Sequence, residues 1–140
     1  MQKINFNIRQ AKKDDYGPII KILTEVDISY NAMTLDNFFI AQKGPEIIAV
    51  AKLEEFDGFL FLSSVAVPFK FQKQGIASLF LKKLLKNRHK KIYIYTTIPE
   101  FFKKLGFIGT NPIPSLPSKN KLECEECNPS LCVCMVKLPK

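Results

Sequence analysis

The sequence predicts a mixed α/β fold of the α+β kind, in which a mostly antiparallel sheet is extended by a parallel β-α-β crossover. Two observations predict it. The dipeptide Asp57-Gly58 separates two apolar, strand-like runs and is a strong signal for a two-residue hairpin. Further along, a helix pattern lies between the strand-like runs "FLFLSSVAV" and "KIYIYTT". This order favours parallel strands joined by a crossover helix.

The first part of the chain predicts strands around one helix. Polar and apolar residues alternate in "INFNIRQ", which predicts a strand over residues 4–10. The stretch "KKDDYGPIIKILTEV" predicts a helix that Asp14 or Asp15 can cap. "SYNAMTLDNFF" predicts a short helix or turn with Thr34 as its N-cap. The runs "FFIAQ" and "IIAVAKLEEF" predict two strands separated by the turn "KGPE".

The second part of the chain predicts the crossover helix and the elements after it. "QGIASLFLKKLLKNRHK" has an apolar stripe at helical spacing and a lysine-rich back, which predicts a helix. "PEFFKKLG" predicts a short helix with Pro99 in its first turn and Gly106 ending it, and "FIGTN" predicts a strand. Residues 112–140 contain a proline-spaced loop, a cysteine cluster and a last strand, "VCMVKL". The whole chain, 1–140, is expected to form one domain.

The composition and net charge argue against several classes of function. The 140 residues are 46% hydrophobic and 24% charged, as in ordinary globular proteins. The net charge of +8 is nearly all lysine, with arginine only at Arg9 and Arg88, so a solvated surface is favoured over nucleic-acid binding. Such a surface also attracts a polyanionic small molecule. Without a signal-peptide or membrane-spanning apolar run, we expect a cytoplasmic protein with no membrane partner; a homodimer is left open.

The stretch "VPFKFQKQGIAS" (residues 67–78) separates the fourth predicted strand from the crossover helix. A strand, a glycine-containing loop and a helix N-terminus in this order form an anion site. The free N–H groups of the first helical turn point outward, and the helix dipole adds about half a positive charge. Lys70 and Lys73 add further positive charge. The spacing of the loop is Q/R-x-x-G-x-G/A, which is neither a dinucleotide-binding fingerprint nor a P-loop.

With "VAVP" before it and "LFLKKLL" after it, this loop resembles the acetyl-CoA signature of the GNAT N-acetyltransferases. The resemblance implies that backbone N–H groups wrap the pyrophosphate of acetyl-CoA at Gln72, Lys73, Gln74, Gly75, Ile76 and Ala77. It also implies that the strand at Val65 and Val67 pairs with the pantetheine arm. "PEFFKKLGF" is similar to the family's "FYxKxGF" segment, which places Phe102 beside the CoA thiol.

A narrower resemblance concerns the acceptor. "DNFFIAQ", "LSSVAVP", "YIYTTIPEFFKKLGF" and "LPSK" are similar to the N-acetylglutamate-synthase type of amino-acid acetyltransferase. This implies direct transfer of acetyl to a primary amine, with a glutamate-like amino acid or another small molecule as acceptor. The family often has a tyrosine acid where Phe102 stands and a carboxylate base where Phe61 stands. A CoA-binding or regulatory module without turnover is therefore the alternative.

Other residues are left as catalytic and acceptor-site candidates. Glu25 and Ser63, and after them Asp27 and Ser64, are the catalytic candidates, with the acids acting through water. Their structural alternatives are a solvated helix end and small, tolerated strand residues. The acceptor pocket is predicted from the family's binding mode to involve Tyr30, Asn31, Thr96 and Thr97, with Lys119 available for a carboxylate. His89, the single histidine, is interpreted as a surface residue.

The four cysteines lie close together in "CEECNPSLCVC", at Cys124, Cys127, Cys132 and Cys134. The group is compact enough to bind one structural zinc ion tetrahedrally. On an extended strand, Cys132 and Cys134 would stand ~6.5 Å apart, which strains ligation of a common ion. A local disulfide, reduced thiols and simple packing by the strand are the competing interpretations.

Overall fold

The computed structural model describes residues 5–26, 37–111 and 133–139. Their strands form a seven-stranded mixed sheet in the order β1-β2-β3-β4-β5-β7-β6. The strands are β1 (Asn7–Gln10), β2 (Phe38–Lys43), β3 (Glu46–Phe56), β4 (Phe59–Ala66), β5 (Lys91–Thr96), β6 (Ile108–Gly109) and β7 (Val133–Lys137). The helices are α1 (Tyr16–Glu25), α2 (Ile76–Leu85) and α3 (Pro99–Lys103), with 3₁₀ turns at Lys13–Asp15 and Phe69–Phe71.

The sheet confirms the predicted fold class. Strands β1 to β4 pair antiparallel with their neighbours in sequence. The turn at Asp57-Gly58 joins β3 to β4, and Gly58 has the positive φ of +87° that such a turn requires. Strand β5 lies parallel to β4 and is reached through α2. The last strand, β7, inserts antiparallel between β5 and β6, a position that the order of elements along the chain does not reveal.

The two faces of the sheet are covered by different helices. The apolar stripe of α2, including Ile76, Phe80 and Leu84, packs on the face formed by β3, β4, β5 and β7. Helix α1 packs Ile19 and Leu23 on the opposite face, against β2 and β3. A third apolar cluster lies on the carboxyl-terminal half of the sheet and contains Phe59, Phe61, Tyr93, Cys134 and Val136. Each helix thus buries one apolar stripe, as amphipathic helices on a sheet do.

The crossover helix is shorter than its sequence pattern predicts. Helix α2 ends at Leu85, and the predicted tail "KNRHK" lies outside it. Lys86 takes an extended conformation, and Asn87 is left-handed with a φ of +62°. The side chain of Arg88 then donates to the carbonyl of Leu84 at 3.0 Å, which satisfies one of the unpaired carbonyl groups at the helix end. The apolar stripe itself ends at Leu85, so packing sets the length.

The first helix begins differently from the prediction. Asp15 stands at the N-cap position of α1, but its side chain makes no capping hydrogen bond to that helix. Its carboxylate instead accepts the backbone N–H of Lys12 at 2.7 Å and both terminal nitrogens of Arg9, at 2.8 and 3.0 Å. Arg9 also donates to Gln42 of β2 at 2.7 Å. Asp15 therefore caps the 3₁₀ turn and not α1, and its ion pair with Arg9 ties the start of α1 to β1.

Some predictions fall outside the described residues. These are the N-cap at Thr34, the candidates Asp27, Tyr30, Asn31 and Lys119, and the cysteines Cys124, Cys127 and Cys132. The division of the chain into one domain over 1–140 stays a prediction. No helix in the described ranges has the length and hydrophobicity needed to cross a lipid bilayer.

We predict that Asp15→Asn lowers the free energy of unfolding by about 2 kcal/mol at pH 7, because a nearly buried charge-assisted hydrogen bond is lost. The bidentate hydrogen bond from Arg9 holds the pKa of the Asp15 carboxyl below its ordinary value of 3.8. A lowered pKa stabilises the fold at all pH values above 3.8, and this contribution is lost as the pH falls through the folded-state pKa. Urea denaturation at pH 7 and at about pH 2 should show the difference between wild type and variant shrinking in acid.

Asp14, exposed beside Asp15, gives the matched control. Asp14→Asn should change the stability by less than about 0.5 kcal/mol at both pH values. Equal destabilisation by the two substitutions would contradict a specific role for the Arg9–Asp15 pair.

Candidate functional site

The central opening of the sheet lies between β4 and β5. The two strands pair only from Phe59–Lys91 to Phe61–Tyr93. Beyond that point β5 continues to Thr96 with β7 as its partner, while β4 continues to Ala66 with β3 as its partner. Among the described residues, the β5-side edge of β4 after Phe61 has no strand partner. Backbone N–H and C=O groups on such an edge can bind an extended ligand as an added strand would.

A β-bulge shapes the carboxyl end of β4. Lys52 of β3 pairs with Ser63, but Val50 pairs with Ala66, so β4 contains one extra residue there. Ser64 occupies the bulge with a φ of +52°, a left-handed conformation that is unusual for a residue other than glycine. Val65 and Val67, predicted to lie along the pantetheine arm, flank this end of the strand and are half-buried against the α2 side of the core.

The loop between β4 and α2 is held together by its own hydrogen bonds. The 3₁₀ turn at Phe69–Phe71 is closed by the Phe71 N–H donating to Pro68 and the Gln72 N–H donating to Phe69, at 2.9 and 3.1 Å. The Gln72 side chain donates to the carbonyl of Val67 at 2.8 Å. After the turn, Lys73 and Gly75 are both left-handed, with φ of +64° and +78°.

The left-handed residues Lys73 and Gly75 lie in a run of backbone N–H groups that leads into α2. Within the described structure, the N–H groups of Lys73, Gln74 and Gly75 have no hydrogen-bond acceptor. The next N–H groups, at Ile76, Ala77 and Ser78, belong to the first turn of α2, where a helix leaves its donors unpaired. Residues 73–78 are called the amide cradle below. Unpaired N–H donors together with the positive end of a helix dipole are chemically suited to bind an anion.

The cradle differs by one residue at each end from the predicted pyrophosphate loop. The N–H of Gln72 is used inside the 3₁₀ turn, so Gln72 supports the loop and does not offer this donor to a ligand. The sequence prediction did not include Ser78. Because the helix begins directly after Gly75, Ser78 is its third residue, and the N–H groups of the first helical turn have no partner within the helix.

Side-chain charge at the cradle is modest. Lys73 is exposed and adds one positive charge. Lys70 forms an ion pair with Glu46 at 2.8 Å, and both side chains are at least half exposed. Solvent screens such a pair strongly. The positive potential at the cradle therefore comes chiefly from backbone dipoles.

The aromatic residues at the predicted catalytic positions are buried. Phe102 is packed edge-to-face against Phe101 and Phe107, at centroid distances of 5.0 and 5.5 Å. Phe61 packs its ring against Tyr95 at 5.8 Å. Neither phenylalanine can transfer a proton, as expected from the sequence. Phe102 sits at 7% exposure in the core cluster of α2, so its placement beside a CoA thiol stays a prediction.

The two catalytic candidates are placed differently. Ser63 is half-buried on β4 beside the bulge, opposite Lys52 of β3. Glu25 is the last residue of α1, and its Oε2 atom accepts the backbone N–H of Phe69 at 2.5 Å. The structure thus brings Glu25 to the 3₁₀ turn that precedes the amide cradle.

The two threonines predicted for the acceptor site differ in exposure. Thr96 is buried, and its hydroxyl accepts the backbone N–H of Ile98 at 2.9 Å, which ends β5 with a turn. Thr97 is exposed beside it. Thr96 thus has a structural role at the end of β5.

Tyr95 is a candidate that the sequence prediction missed. It lies two residues beyond the last β4–β5 pair and on the same face as Phe61, whose ring its own ring contacts at 5.8 Å. Burial, and secondarily the neighbouring Cys134, raise the pKa of Tyr95 above its ordinary value of 10.0, so the hydroxyl is protonated at neutral pH. The sequence "YIYTT" places Tyr93 and Tyr95 on one face of the strand. That Tyr95 lies beyond the last β4–β5 pair is known only from the structure.

Of the four clustered cysteines, only Cys134 lies among the described residues. Cys134 is buried in β7 and pairs in register with Tyr95 of β5. In the described ranges no group of three or more potential metal ligands occurs. The zinc interpretation stays a prediction, because the other three cysteines lie outside those ranges.

A separate cavity of about 380 Å³ lies at the opposite, carboxyl end of α2. Its polar lining is basic and includes Lys82, Lys86, Arg88, His89 and Lys90. Cationic side chains stabilise the negative end of a helix dipole, and Lys90 also forms an ion pair with Glu55 at 3.4 Å. The cavity is distant from the amide cradle by the length of α2, and His89 is exposed there, as the sequence interpretation expects.

Solved structures share the fold of this chain over nearly its whole length, although no family model matches the sequence. The N-acetylglutamate synthase from Neisseria gonorrhoeae, complexed with coenzyme A and N-acetyl-glutamate, is 18% identical with a TM-score of 0.75. That match covers 97% of this chain and 35% of the synthase chain. A GNAT-family acetyltransferase from Bacillus cereus is 19% identical with a TM-score of 0.67, covering 97% and 99%. The chain has the GNAT acetyltransferase fold.

The GNAT fold implied by the sequence resemblance is therefore confirmed. A further match is Rv2747 from Mycobacterium tuberculosis in complex with CoA and NLQ, which is 14% identical with a TM-score of 0.72. It covers 96% of this chain and 99% of that one. Two of these three structures of the GNAT fold thus contain CoA. This chain spans about a third of the length of the Neisseria synthase.

We predict that Gly75→Ala weakens the binding of an anion to the amide cradle. A Cβ atom at Gly75 would meet no atom within 4 Å, so the cost is the left-handed φ of +78°, about 1 kcal/mol of strain. Relief of that strain moves the amides of the cradle apart. In an NMR titration with pyrophosphate, the shifts should centre on residues 73–78, and the variant should bind about tenfold more weakly, equivalent to 1.4 kcal/mol.

Gly44→Ala is the matched control, because Gly44 is left-handed at +59° and equally open, but lies in the β2–β3 turn. It should lose similar stability and keep the pyrophosphate affinity of the wild type. Equal affinities in the two variants would show that the cradle is not the anion site.

Proposed function

We propose that the chain is an acetyl-CoA-dependent N-acetyltransferase that moves an acetyl group directly to a primary amine. The observation that carries the proposal is the position of the amide cradle at the open end of the β4–β5 divergence. From a diphosphate bound to the cradle, an extended chain could enter the sheet along the unpaired edge of β4. The same fold with bound CoA in two matched proteins supports this path.

Backbone groups would bind most of the co-substrate. The N–H groups of residues 73–78 would hold the pyrophosphate, and the edge of β4 at Val65 and Val67 would pair with the pantetheine arm. An N–H group of this strand would then donate to the thioester oxygen, where negative charge develops during attack by a neutral amine. Fixing both reactants in the opening supplies the proximity and orientation that acyl transfer needs.

Proton transfer would involve side chains around the opening. The amine nitrogen must lose a proton, and the departing thiolate sulfur must gain one. Ser63 is proposed to line the opening from β4, and Tyr95 is protonated and able to donate from β5. Glu25, acting through water, was the sequence-predicted base, but its carboxylate also accepts the Phe69 N–H.

The acceptor is proposed to be an amino acid or another small amine. Support comes from the Neisseria synthase, whose structure contains N-acetyl-glutamate beside coenzyme A. The phenylalanines at positions 61 and 102 favour a second candidate function, a CoA-binding module without turnover. Both functions need the amide cradle, and product formation separates them.

The test is mass-spectrometric detection of acetylated product, with acetyl-CoA and a panel of amino acids, polyamines and peptides. We expect one acceptor class to give a product with the added mass of an acetyl group, and a rate reduced about tenfold by Gly75→Ala at subsaturating acetyl-CoA. Mass detection avoids the four cysteines, which react with thiol reagents. Gly44→Ala serves as the control.

Three outcomes are distinguishable. Product with a single acceptor class supports the enzyme. Acetyl-CoA binding without product from any acceptor would replace it with the binding module. A chain that binds pyrophosphate but not acetyl-CoA would contradict both functions, because the β4 edge would then not accept a pantetheine arm.

A further inference from the structure

Glu25 occupies a position where a carboxylate is locally unfavourable. It is the last residue of α1, and the last turn of this helix contains no basic residue. The carboxyl end of a helix carries a partial negative charge, so a second negative charge there is destabilising. Residues that break a local rule commonly have a compensating contact elsewhere in the fold. For Glu25 that contact lies 44 positions along the chain.

The contact is a hydrogen bond to the backbone of the β4–α2 loop. Oε2 of Glu25 accepts the N–H of Phe69 at 2.5 Å. Phe69 is the first residue of the second 3₁₀ turn. The bond is exposed to solvent, and it joins the β4–α2 loop to the end of α1.

This anchor acts on the loop through a short chain of bonds. The carbonyl of Phe69 accepts the N–H of Gln72, and the side chain of Gln72 donates to Val67, at 3.1 and 2.8 Å. Lys73, the first left-handed residue of the cradle, follows directly. Over the described residues, the Phe69–Glu25 bond is the only hydrogen bond from the backbone of residues 67–74 to an element outside the loop.

We propose that Glu25 is a positioning residue for the β4–α2 loop, which leads into the amide cradle, and not the general base. Its carboxylate fixes the 3₁₀ turn, and the turn fixes the direction of the amides at residues 73–75. The inference rests on the proposed function for its kinetic consequence, because a correctly aimed cradle lowers the Kd for acetyl-CoA. The hydrogen bond and its effect on the cradle amides are measurable without any turnover.

The kinetic test separates positioning from base catalysis. Glu25→Ala removes the acceptor atom, and should raise Kd and KM for acetyl-CoA about tenfold while kcat changes less than about threefold. Glu25→Gln keeps an oxygen acceptor at the same place, and should rescue the affinity to within about threefold of the wild type. A general base would give another pattern: both variants would lose about 100-fold or more in kcat, with Kd unchanged.

Glu46→Ala is the matched control, because Glu46 contacts the same turn only through the exposed side chain of Lys70. Its removal should leave the Kd for acetyl-CoA within about twofold of the wild type, as expected for a screened surface pair. A tenfold loss of affinity in this variant would mean that any nearby carboxylate matters, and would overturn a specific role for Glu25.

The structural test uses amide resonances and hydrogen exchange. In Glu25→Ala, the Phe69 amide should exchange faster with solvent, and the amide resonances of Lys73, Gln74 and Gly75 should move. In Glu25→Gln both should return toward the wild type, and that variant keeps the test valid if Glu25→Ala fails to fold. Unchanged exchange at Phe69, or unmoved cradle resonances, would overturn the proposal. If the wild type binds no acetyl-CoA, the proposed function fails, and the resonances with pyrophosphate as probe still decide the role of Glu25.

Discussion

The short parallel pairing between β4 and β5 is the constraint on which the candidate site depends. Parallel neighbours require a crossover, and here α2 provides it. Pairing stops after three residue pairs, because β4 follows β3 through a bulge while β5 follows β7. The strands therefore open toward their carboxyl ends, where the connection to α2 begins. Loop, helix N-terminus and unpaired strand edge converge at this one place.

Two of the four non-glycine residues with positive φ in the described ranges lie along the same path. Ser64, Lys73 and Gly75 have positive φ angles, and the first two carry side chains that make such angles costly. Strained residues persist where the surrounding structure determines them, and they cluster at functional sites. The surrounding structure here is the β3–β4 register for Ser64, and the hydrogen-bonded turn at Phe69–Phe71 for Lys73. The proposed anion site consists of backbone amides, and it is therefore compatible with glutamine at position 72 and alanine at position 77.

Hydrogen bonds to two carboxylates, those of Asp15 and Glu25, hold α1 to the sheet and to the loop before α2. Arg9 and Asp15 join the start of the helix to β1 and β2. Glu25 joins its end to the loop before α2. Both acidic residues had a plausible local interpretation from sequence, as a helix cap and a solvated helix end. Asp15 instead bonds the nearby Lys12 N–H and Arg9 on β1, whereas Glu25 bonds Phe69, 44 positions along the chain. Local patterns do not contain the second of these contacts.

Local sequence was sufficient to predict the element types, the hairpin at Asp57-Gly58, the parallel crossover and the loop whose amides form the cradle. These depend on periodicity, turn chemistry and glycine placement, which act between residues near one another in the chain. Long-range pairing was needed to place β7 between β5 and β6, to part β4 from β5 after Phe61, and to bring Glu25 to Phe69. In each case, packing and register between distant segments choose among partners that the local sequence leaves equivalent.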